Sequence, residues 1–536
     1  MFQPCSPLSF PLGLRRHREK RVDQQRIWAY VLTNSSPVSS MVRGGATSMK
    51  KAEMSHSVLP AARPRALTRT AAIFTVALGF ALNAIGARAE GNAVRFGPNL
   101  LLSDETRSPQ VANRVESTIA ANPLDLANLV VGYQVFGCQM KPCACRVVAT
   151  HDGGATWSLP VFAPLSTPAD HCRDSSLAAD LAGTFYYSYL DQTATPTGLS
   201  EDLRVAVSND GGGSFSRSSA AVHDAAGDFN SIDKPWITVD AQPKSKFKGT
   251  VYVSYTQAEG FLGAIAVVRS QDGGSSWSDP VIVSPIADGA AHQEVQGSVP
   301  VVAPDGTVYV FYAAYNPLTG PLSIQYAKSR DGGRSWTAPA TVASGLNSPG
   351  LFVLNNGMQQ FGSASFIGIF ANSFPTVAIP PDGTIFVAWT DFPNGSCVNT
   401  GTFSPPCVNA DVRLSVSKDG GRLWSPPAKV SDETNATDQF FPAIAAHPSS
   451  LLSLVWLDRR LDPDNLNYDA FYTNTLGGAA FLPNVRVSSA TSTVDSNTDL
   501  GDYQGLAVTG NSIVPAWCDD RMKAVNIFTA VGTIDP

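Results

Sequence analysis

The sequence predicts an all-β protein: a seven-bladed β-propeller of four-stranded antiparallel blades, with a six-bladed propeller as the alternative. Three observations support this. The composition, with 44 Gly, 38 Pro and only 15% charged residues, favours many short strands over long helices. One eight-residue motif recurs at intervals of about 60 residues, with one longer interval. The strand patterns around each copy also repeat, and four strands in such a unit make one propeller blade.

The repeated motif reads Ser/Thr-x-Asp-Gly-Gly-x-x-Trp/Phe. An aspartate can accept hydrogen bonds from the backbone amides of its own tight turn, and the two glycines can adopt positive φ. The aromatic side chain can then fold back as a small anchor. We therefore interpret the motif as a structural hairpin turn and not as a catalytic element. Five copies are complete and a sixth is degenerate; they lie at 150–157, 208–215, 270–277, 329–336, 417–424 and 473–481.

Each motif follows an alternating strand, which follows an apolar strand and, before that, a short opening strand. The opening strands lie near 115, 174, 233, 297, 374, 440 and 503, which gives seven units. The last unit lacks a fourth strand, whereas the segment 97–106 resembles 425–434, which follows a motif. We expect the N-terminal strand to complete the last blade and close the ring, because closure removes free sheet edges.

The first ninety residues differ from the rest. Arg63, Arg65 and Arg69 precede an apolar run at 71–87 and an Ala-x-Ala site ending at Ala89, which is typical of a signal peptide at 54–89. The segment 1–53 is basic and patternless, and is interpreted as a mis-assigned start or a disordered extension. The propeller is expected to occupy 90–536, and the protein to be secreted or periplasmic.

Charge and cysteine usage narrow the possible partners. Without residues 1–89 the net charge is about −16, which disfavours nucleic acid or anionic membranes as partners; no further apolar segment could span a bilayer. We expect a monomer. The cysteines of an exported chain should mostly form disulfides: Cys397 with Cys407, and others among Cys138, Cys143, Cys145 and Cys172, with one thiol left over. A metal site at 138–145 is the less favoured alternative.

The five motifs resemble those of the sialidase-like superfamily, also called BNR or Asp-box repeat proteins. The resemblance covers 95–536 and implies the propeller fold; the superfamily includes exo-sialidases, other glycosidases and propellers without demonstrated chemistry. Its sialidases carry Arg-Ile-Pro on the first opening strand, three arginines that hold the substrate carboxylate, an acid/base Asp, and a Tyr nucleophile paired with Glu. Here the corresponding segment reads Arg-Val-Glu-Ser at 114–117.

The resemblance places a site in a pit on the propeller face opposite the Asp-box turns. The catalytic candidates are Asp233 as acid/base, Tyr503 as nucleophile, and Glu116. The substrate-binding candidates are Arg459 and Arg521, which would each bind a carboxylate through bidentate hydrogen bonds, together with Asp458 and Asp502. In the alternative interpretation, Asp458–Arg459 and Asp520–Arg521 are salt bridges between blades and Asp233 caps a loop.

These residues predict an exo-glycosidase, of which an exo-α-sialidase-like hydrolase is one form, acting on terminal sugars of a glycan or glycoconjugate. The alternative is a propeller that binds glycan or protein without catalysis. No metal or organic cofactor is expected for catalysis, although the acidic rim offers the oxygen ligands that a structural Ca²⁺ prefers.

Overall fold

A computed structural model describes residues 94–103, 113–136, 144–167, 171–195, 198–224, 232–259, 262–285, 294–315, 322–347, 361–362, 368–369, 371–393, 409–495 and 498–534. These residues form seven blades of four strands each, so the seven-bladed prediction is confirmed and the six-bladed alternative is wrong. The described residues contain no helix. The proposed signal peptide, the extension before it, and Cys138, Cys143, Cys397 and Cys407 lie outside them.

The strands of the N-terminal segment and first three blades are β1 (Val94–Phe96), β2 (Leu100–Leu101), β3 (Asn113–Ala121), β4 (Leu129–Phe136), β5 (Arg146–Thr150), β6 (Val161–Phe162), β7 (His171–Ala179), β8 (Phe185–Thr195), β9 (Gly198–Ser208), β10 (Arg217–Asp224), β11 (Ile232–Val239), β12 (Val251–Glu259), β13 (Leu262–Ser270) and β14 (Val281–Ile282). Blade one is β3–β6, blade two β7–β10 and blade three β11–β14.

The remaining strands are β15 (Glu294–Val302), β16 (Val308–Tyr315), β17 (Leu322–Ser329), β18 (Ala340–Leu346), β19 (Phe361–Gly362), β20 (Gly368–Ile369), β21 (Thr376–Ala378), β22 (Ile385–Asp391), β23 (Asp411–Ser417), β24 (Ala428–Lys429), β25 (Gln439–Ala446), β26 (Leu451–Asp458), β27 (Asp469–Leu476), β28 (Val485–Arg486), β29 (Gly505–Thr509), β30 (Ser512–Asp519), β31 (Asn526–Thr529) and β32 (Gly532–Ile534). Blades four, five and six are β15–β18, β21–β24 and β25–β28, and β19 pairs with β20 as a separate hairpin.

The seventh blade is completed from the other end of the chain. Strands β29, β30 and β31 supply three of its strands, and β2 pairs antiparallel with β31, with Leu100 opposite Thr529. Outside them, β1 pairs with the last strand, β32, which also pairs with β30. The expected closure by the N-terminal strand is confirmed. It leaves the ring without an unpaired first or last blade.

The second strand of each blade is almost entirely buried because blades pack face to face on both sides of it. All seven residues of Ile385–Asp391 and all eight of Leu451–Asp458 are buried. The indoles of Trp389, Trp456 and Trp517 are fully enclosed at equivalent places in blades five, six and seven. This two-sided burial explains why these strands read as continuous apolar runs in the sequence.

The Asp-box turns join the third and fourth strands of their blades and have the hairpin geometry that the sequence predicts. In all five complete copies the Asp carboxylate accepts a hydrogen bond of 2.9 Å from the backbone N–H four residues later. The Ser or Thr hydroxyl at the start of the box also donates to that carboxylate. Both glycines of every copy have positive φ. These aspartates therefore serve the turn itself.

The opening strands carry a second repeated feature, a β-bulge, in five blades. Pairing with the second strand shifts register after Val115, Arg173, Asp233, Gln296 and Phe440. The next residue in each case, namely Glu116, Asp174, Lys234, Gly297 or Phe441, has φ between 47° and 68°. Side chains other than glycine rarely adopt this left-handed conformation, and such strain concentrates at functional sites.

A disulfide joins Cys145 at the start of blade one's third strand to Cys172 on blade two's opening strand. It connects two neighbouring blades one residue before Arg173 and two before the bulge residue Asp174. Cys518 is a buried free thiol. No helix among the described residues is long and apolar enough to cross a membrane.

Candidate functional site

The bulge residues lie at the end of the blades opposite the Asp-box turns. In blade one, Ala121 pairs with Leu129 and Leu129 with Thr150, the first residue of the Asp box, whereas Asn113 pairs with Phe136 at the other end. Glu116 lies nearer that other end. The same order holds in the blades that follow, so the bulges form one ring on the face where the sequence predicted a site.

Contacts between blades that are not neighbours show that these residues meet at the propeller axis. The Tyr503 hydroxyl, on blade seven, donates to the Ser175 carbonyl on blade two at 2.9 Å. Asn372, before blade five, donates to the Asp502 carboxylate at 3.0 Å. We refer to Glu116, Asp174, Asp233, Lys234, Asp502 and Tyr503 as the axial cluster. Four of these six, Glu116, Asp233, Asp502 and Tyr503, are residues that the sequence singled out.

Asp174 and Asp233 form a carboxyl pair within the axial cluster. Their carboxyl groups lie close enough together for a single proton to join them, and both residues are half-buried. Burial, followed by the negative charge of Asp174 and hydrogen bonding with it, raises the pKa of Asp233 well above its usual range. The Gln296 amide donates to Asp233 Oδ2, and the Lys234 backbone N–H donates to Asp174 Oδ2 at 3.2 Å. The pair is therefore fixed in orientation.

Glu116 forms the second acidic position. Gln134 Nε2 donates to its Oε2 at 2.6 Å, and the Asp502 backbone N–H donates to its Oε1 at 3.1 Å. The same Gln134 accepts from the Asp174 backbone N–H at 2.9 Å, so one amide side chain connects the two bulges. Burial, with the charges of Asp174 and Asp502, raises the pKa of Glu116 well above its usual range.

Gly501 is required by this arrangement. It has φ +67°, and a Cβ added there would overlap the Glu116 side chain. The backbone before blade seven can therefore approach Glu116 closely enough to donate to it only because residue 501 has no side chain. Burial is the main cause that raises the pKa of Asp502, the next residue, to about 6, although Lys234 opposes it.

Lys234 is the cation of the axial cluster. It is buried, and its ammonium lies 4.3 Å from the Tyr503 ring centre, 4.5 Å from that of Trp236 and 5.1 Å from that of Phe374. The ring faces stabilise a desolvated cation. Burial lowers the pKa of Lys234, whereas the nearby carboxylates of Asp502, Glu116 and Asp174 oppose that shift.

Tyr503 contributes its ring and a hydrogen bond. Its ring packs edge-on against Trp236, with the ring centres 5.0 Å apart, and its hydroxyl donates a hydrogen bond to the Ser175 carbonyl oxygen. Burial, with the charges of Glu116 and Asp174, raises the pKa of Tyr503 well above its usual range. Both features oppose the phenolate that a tyrosine nucleophile requires.

The other predicted binding residues form different contacts. Arg459 is fully buried and pairs with Asp438 at 3.3 Å, not with Asp458. Asp458 instead accepts from the Trp456 indole at 2.7 Å and from Arg460 at 2.8 Å. Arg521 pairs with Asp519, two residues before it, through two hydrogen bonds of 2.8 and 2.6 Å, and not with Asp520. Each of these groups stabilises its own part of blade six or seven.

Several residues of the site carried no role in the sequence analysis. Gln134, Gln296 and Arg173 were missed because each occupies an ordinary strand position. Lys234 was missed because the bulge that it forms cannot be recognised in the sequence. The sequence does contain one indication of the site. Asp233 and Lys234 directly precede Pro235, and two charged residues before a proline are unusual within a blade strand. Among the described residues, no group of three or more His, Cys, Asp or Glu side chains is arranged to hold a metal ion.

Comparisons with known proteins find distant likenesses of fold. An ulvan lyase of polysaccharide lyase family PL25 aligns at 11% identity and TM-score 0.47, covering 78% of this chain and 94% of that one. A leech intramolecular trans-sialidase aligns at 12% and 0.43, covering 74% and 72%. The α-L-arabinofuranosidase Arb93A of Fusarium graminearum aligns at 13% and 0.40, covering 67% and 92%. No protein-family model and no curated protein matches the chain. At such distances the alignments do not identify a reaction.

Proposed function

We propose that the protein is an exported exo-glycosidase that hydrolyses terminal sugars of glycans at the axial cluster, with Asp233 as the proton donor. The observation that carries the proposal is the position of the Asp233 carboxyl group, which lies against Asp174 at the propeller axis and accepts a hydrogen bond from the Gln296 amide. Hydrolysis of a glycosidic bond needs a carboxylic acid that is still protonated where most aspartates are ionised. The pair supplies such a proton.

The neighbouring groups suit the rest of this reaction. A glycosidase also needs an ionised carboxylate that stabilises the positive charge developing at the anomeric carbon or activates water. Asp502 and Asp174 are the candidates for this role, because both lie beside the Lys234 ammonium group. Gln296 orients Asp233, and Gln134 orients Glu116, as expected of groups that hold catalytic carboxyls in place.

The proposal differs from a sialidase mechanism in two respects. Tyr503 is assigned to the floor of the site, because its hydroxyl is held by the Ser175 carbonyl. Arg459 and Arg521 are assigned to structural ion pairs, because each already pairs with a nearby aspartate. This engagement of both arginines also favours the second candidate function, a propeller that binds a glycan or a protein without hydrolysing it.

Export is part of the proposal and has two supports. The signal-peptide pattern at 54–89 is one. The Cys145–Cys172 disulfide is the other, because disulfides persist mainly in oxidising compartments. The protein is proposed to act as a monomer, since its seventh blade is completed by the N-terminal strand of the same chain and not by a second copy.

The test is the release of fluorophore or phenol by purified protein from aryl glycosides, 4-methylumbelliferyl sialoside included. Asp233→Asn should reduce turnover by about 10²–10⁴-fold on substrates with poor leaving groups, and much less on activated dinitrophenyl glycosides, which need no proton donor. The matched control is Asp279→Asn, an exposed aspartate after the Asp box of blade three. It should turn over substrate like the unmodified protein.

Absence of turnover on every glycoside would contradict hydrolysis and support the binding propeller, which a glycan array would then examine. Turnover with an equal loss in Asp233→Asn on good and poor leaving groups would contradict the role of Asp233 as proton donor. That result would leave the glycosidase activity itself intact.

A further inference from the structure

The charges around the axial cluster are unbalanced. Five carboxyl groups surround the site: Glu116, Asp174, Asp233, Asp499 and Asp502, each of which influences at least one of the others. The cations that face them are Lys234 and Arg173. The five carboxyl groups outnumber the two cations, and they would still do so with two of the carboxyl groups protonated. An anionic ligand would enter a field of its own sign.

Both cations are already committed to these carboxyl groups. Arg173 lies beside Asp174 and Asp233, and its Nη2 is 3.5 Å from Glu201 Oε1. Lys234 lies among Asp502, Glu116 and Asp174. A ligand carboxylate is usually held bidentately by an arginine that has no closer partner. In the described part of the axial cluster, neither cation meets that condition.

The site also presents an aromatic surface. Trp236 is half-buried and its ring packs edge-on against Tyr503, and the Phe374 ring centre lies 5.1 Å from the Lys234 ammonium. An aromatic face is negative and attracts the slightly positive C–H groups of a neutral ring. The Lys234 ammonium beside it can donate hydrogen bonds to hydroxyl oxygens. Aromatic faces beside a mixture of hydrogen-bonding groups suit a polyhydroxylated ring without a charge.

We propose that the axial cluster selects an uncharged sugar, packed on Trp236, and rejects sugars that carry a carboxylate, such as uronic and sialic acids. The inference rests on the proposed function, since it names the substrate class of the same site. It also predicts which member of a matched ligand pair binds, whether or not hydrolysis follows.

The experiment is isothermal titration calorimetry at pH 7 with matched pairs: methyl glucoside against methyl glucuronide, and methyl galactoside against methyl galacturonide. The members of a pair differ only in a CH₂OH or a carboxylate group. We expect at least one neutral glycoside to bind and its uronide to bind about tenfold more weakly or worse. The methyl ester of that uronide, which has no charge, should regain most of the affinity.

Two test variants, each with a control variant, locate the effect. Asp499→Asn removes one negative charge, so the ratio of the dissociation constants of the uronide and the neutral glycoside should fall several-fold. The surface variant Asp279→Asn should leave this ratio unchanged. Trp236→Ala should weaken neutral-sugar binding about tenfold or more, and Trp236→Phe should restore most of it.

Equal or tighter binding of the uronide would overturn the inference, and so would failure of every neutral glycoside to bind. Because these titrations measure binding alone, a protein that selects neutral sugars but shows no turnover would contradict only the proposed hydrolysis. A protein that hydrolyses glycosides but binds both members of a pair equally would contradict only the charge selection.

Discussion

The two faces of the propeller carry aspartates in opposite electrostatic states. At the Asp-box turns, hydrogen bonds from the turn's own side chains and backbone lower the pKa of Asp152 to about 2, and lower that of Asp272 further. At the axial cluster, burial and neighbouring carboxylates raise the pKa of Asp233 well above its usual range and that of Asp502 to about 6. One face stabilises the carboxylate, and the other stabilises the acid.

This contrast separates scaffold from site. The Asp-box aspartates of blades one to five are exposed or half-exposed, make the same hydrogen bonds in each blade, and find their partners within the eight-residue motif. The axial groups differ at every blade, with glutamate, aspartate, lysine, glycine and phenylalanine at the five bulges, and their partners come from distant parts of the chain. Repetition therefore marks the elements that build the ring, and departure from repetition marks the place where we propose the reaction.

The largest expected difference is between one aspartate of each face. Asp174→Asn should reduce turnover at least 100-fold, because it removes the negative charge that adds to burial in keeping Asp233 protonated. Asp272→Asn should leave turnover unchanged and lower the free energy of unfolding by about 1 kcal/mol, since it weakens solvent-exposed hydrogen bonds only. Steady-state kinetics and urea unfolding of both variants check this.

The same kinetics also test the direction of the coupling. Loss of the Asp174 charge should lower the pKa of Asp233, so the basic limb of the pH–rate profile should move to lower pH in Asp174→Asn. A profile that keeps its basic limb would show that Asp174 does not control the proton of Asp233. A kinetic defect in Asp272→Asn would contradict the assignment of the Asp boxes to the scaffold.

The sequence could predict the ring more completely than the site, for a physical reason. Blade number, strand order and closure by 97–101 follow from periodicity, and each blade repeats the same local geometry. Glu116, Asp233, Asp502 and Tyr503 could be identified because they begin their units. The roles of Lys234, Gln134 and Gln296 could not, because they depend on bulges that reorient single residues and on contacts across the axis. The sequence suggested that Arg459 and Arg521 bind a ligand carboxylate, because it does not reveal that they pair with Asp438 and Asp519.

One glycine from each face gives the next comparison, in which the cost of replacement by alanine should differ. Gly153 and Gly501 both have positive φ, but a Cβ at Gly153 would meet nothing within 4 Å, whereas at Gly501 it would overlap Glu116. Gly153→Ala should cost about 1 kcal/mol of unfolding free energy, through backbone conformation alone. Gly501→Ala should cost about 2–3 kcal/mol and also impair turnover, because Glu116 must move. Denaturant unfolding with parallel kinetics measures both, and equal costs at the two positions would contradict the close approach.

The two faces should also differ in how they change stability with pH, giving a stability profile with two limbs of opposite slope. The pKa of Asp152, near 2 in the folded protein, lies below its value in the unfolded chain, so its contribution is present above about pH 4 and is lost as pH falls through 2. The pKa of Asp502, about 6 when folded, lies above its unfolded value, so raising the pH from about 4 to 6 costs stability, by at most about 1.4 kcal/mol per pH unit. Urea unfolding across pH 2–8 should therefore find Asp152→Asn flattening the acid limb and Asp502→Asn the limb between pH 4 and 6. If Asp502→Asn left that second limb unchanged, ionisation of Asp502 would not be the cause of the stability loss between pH 4 and 6. Glu116 and Asp499 would then be the next residues to replace.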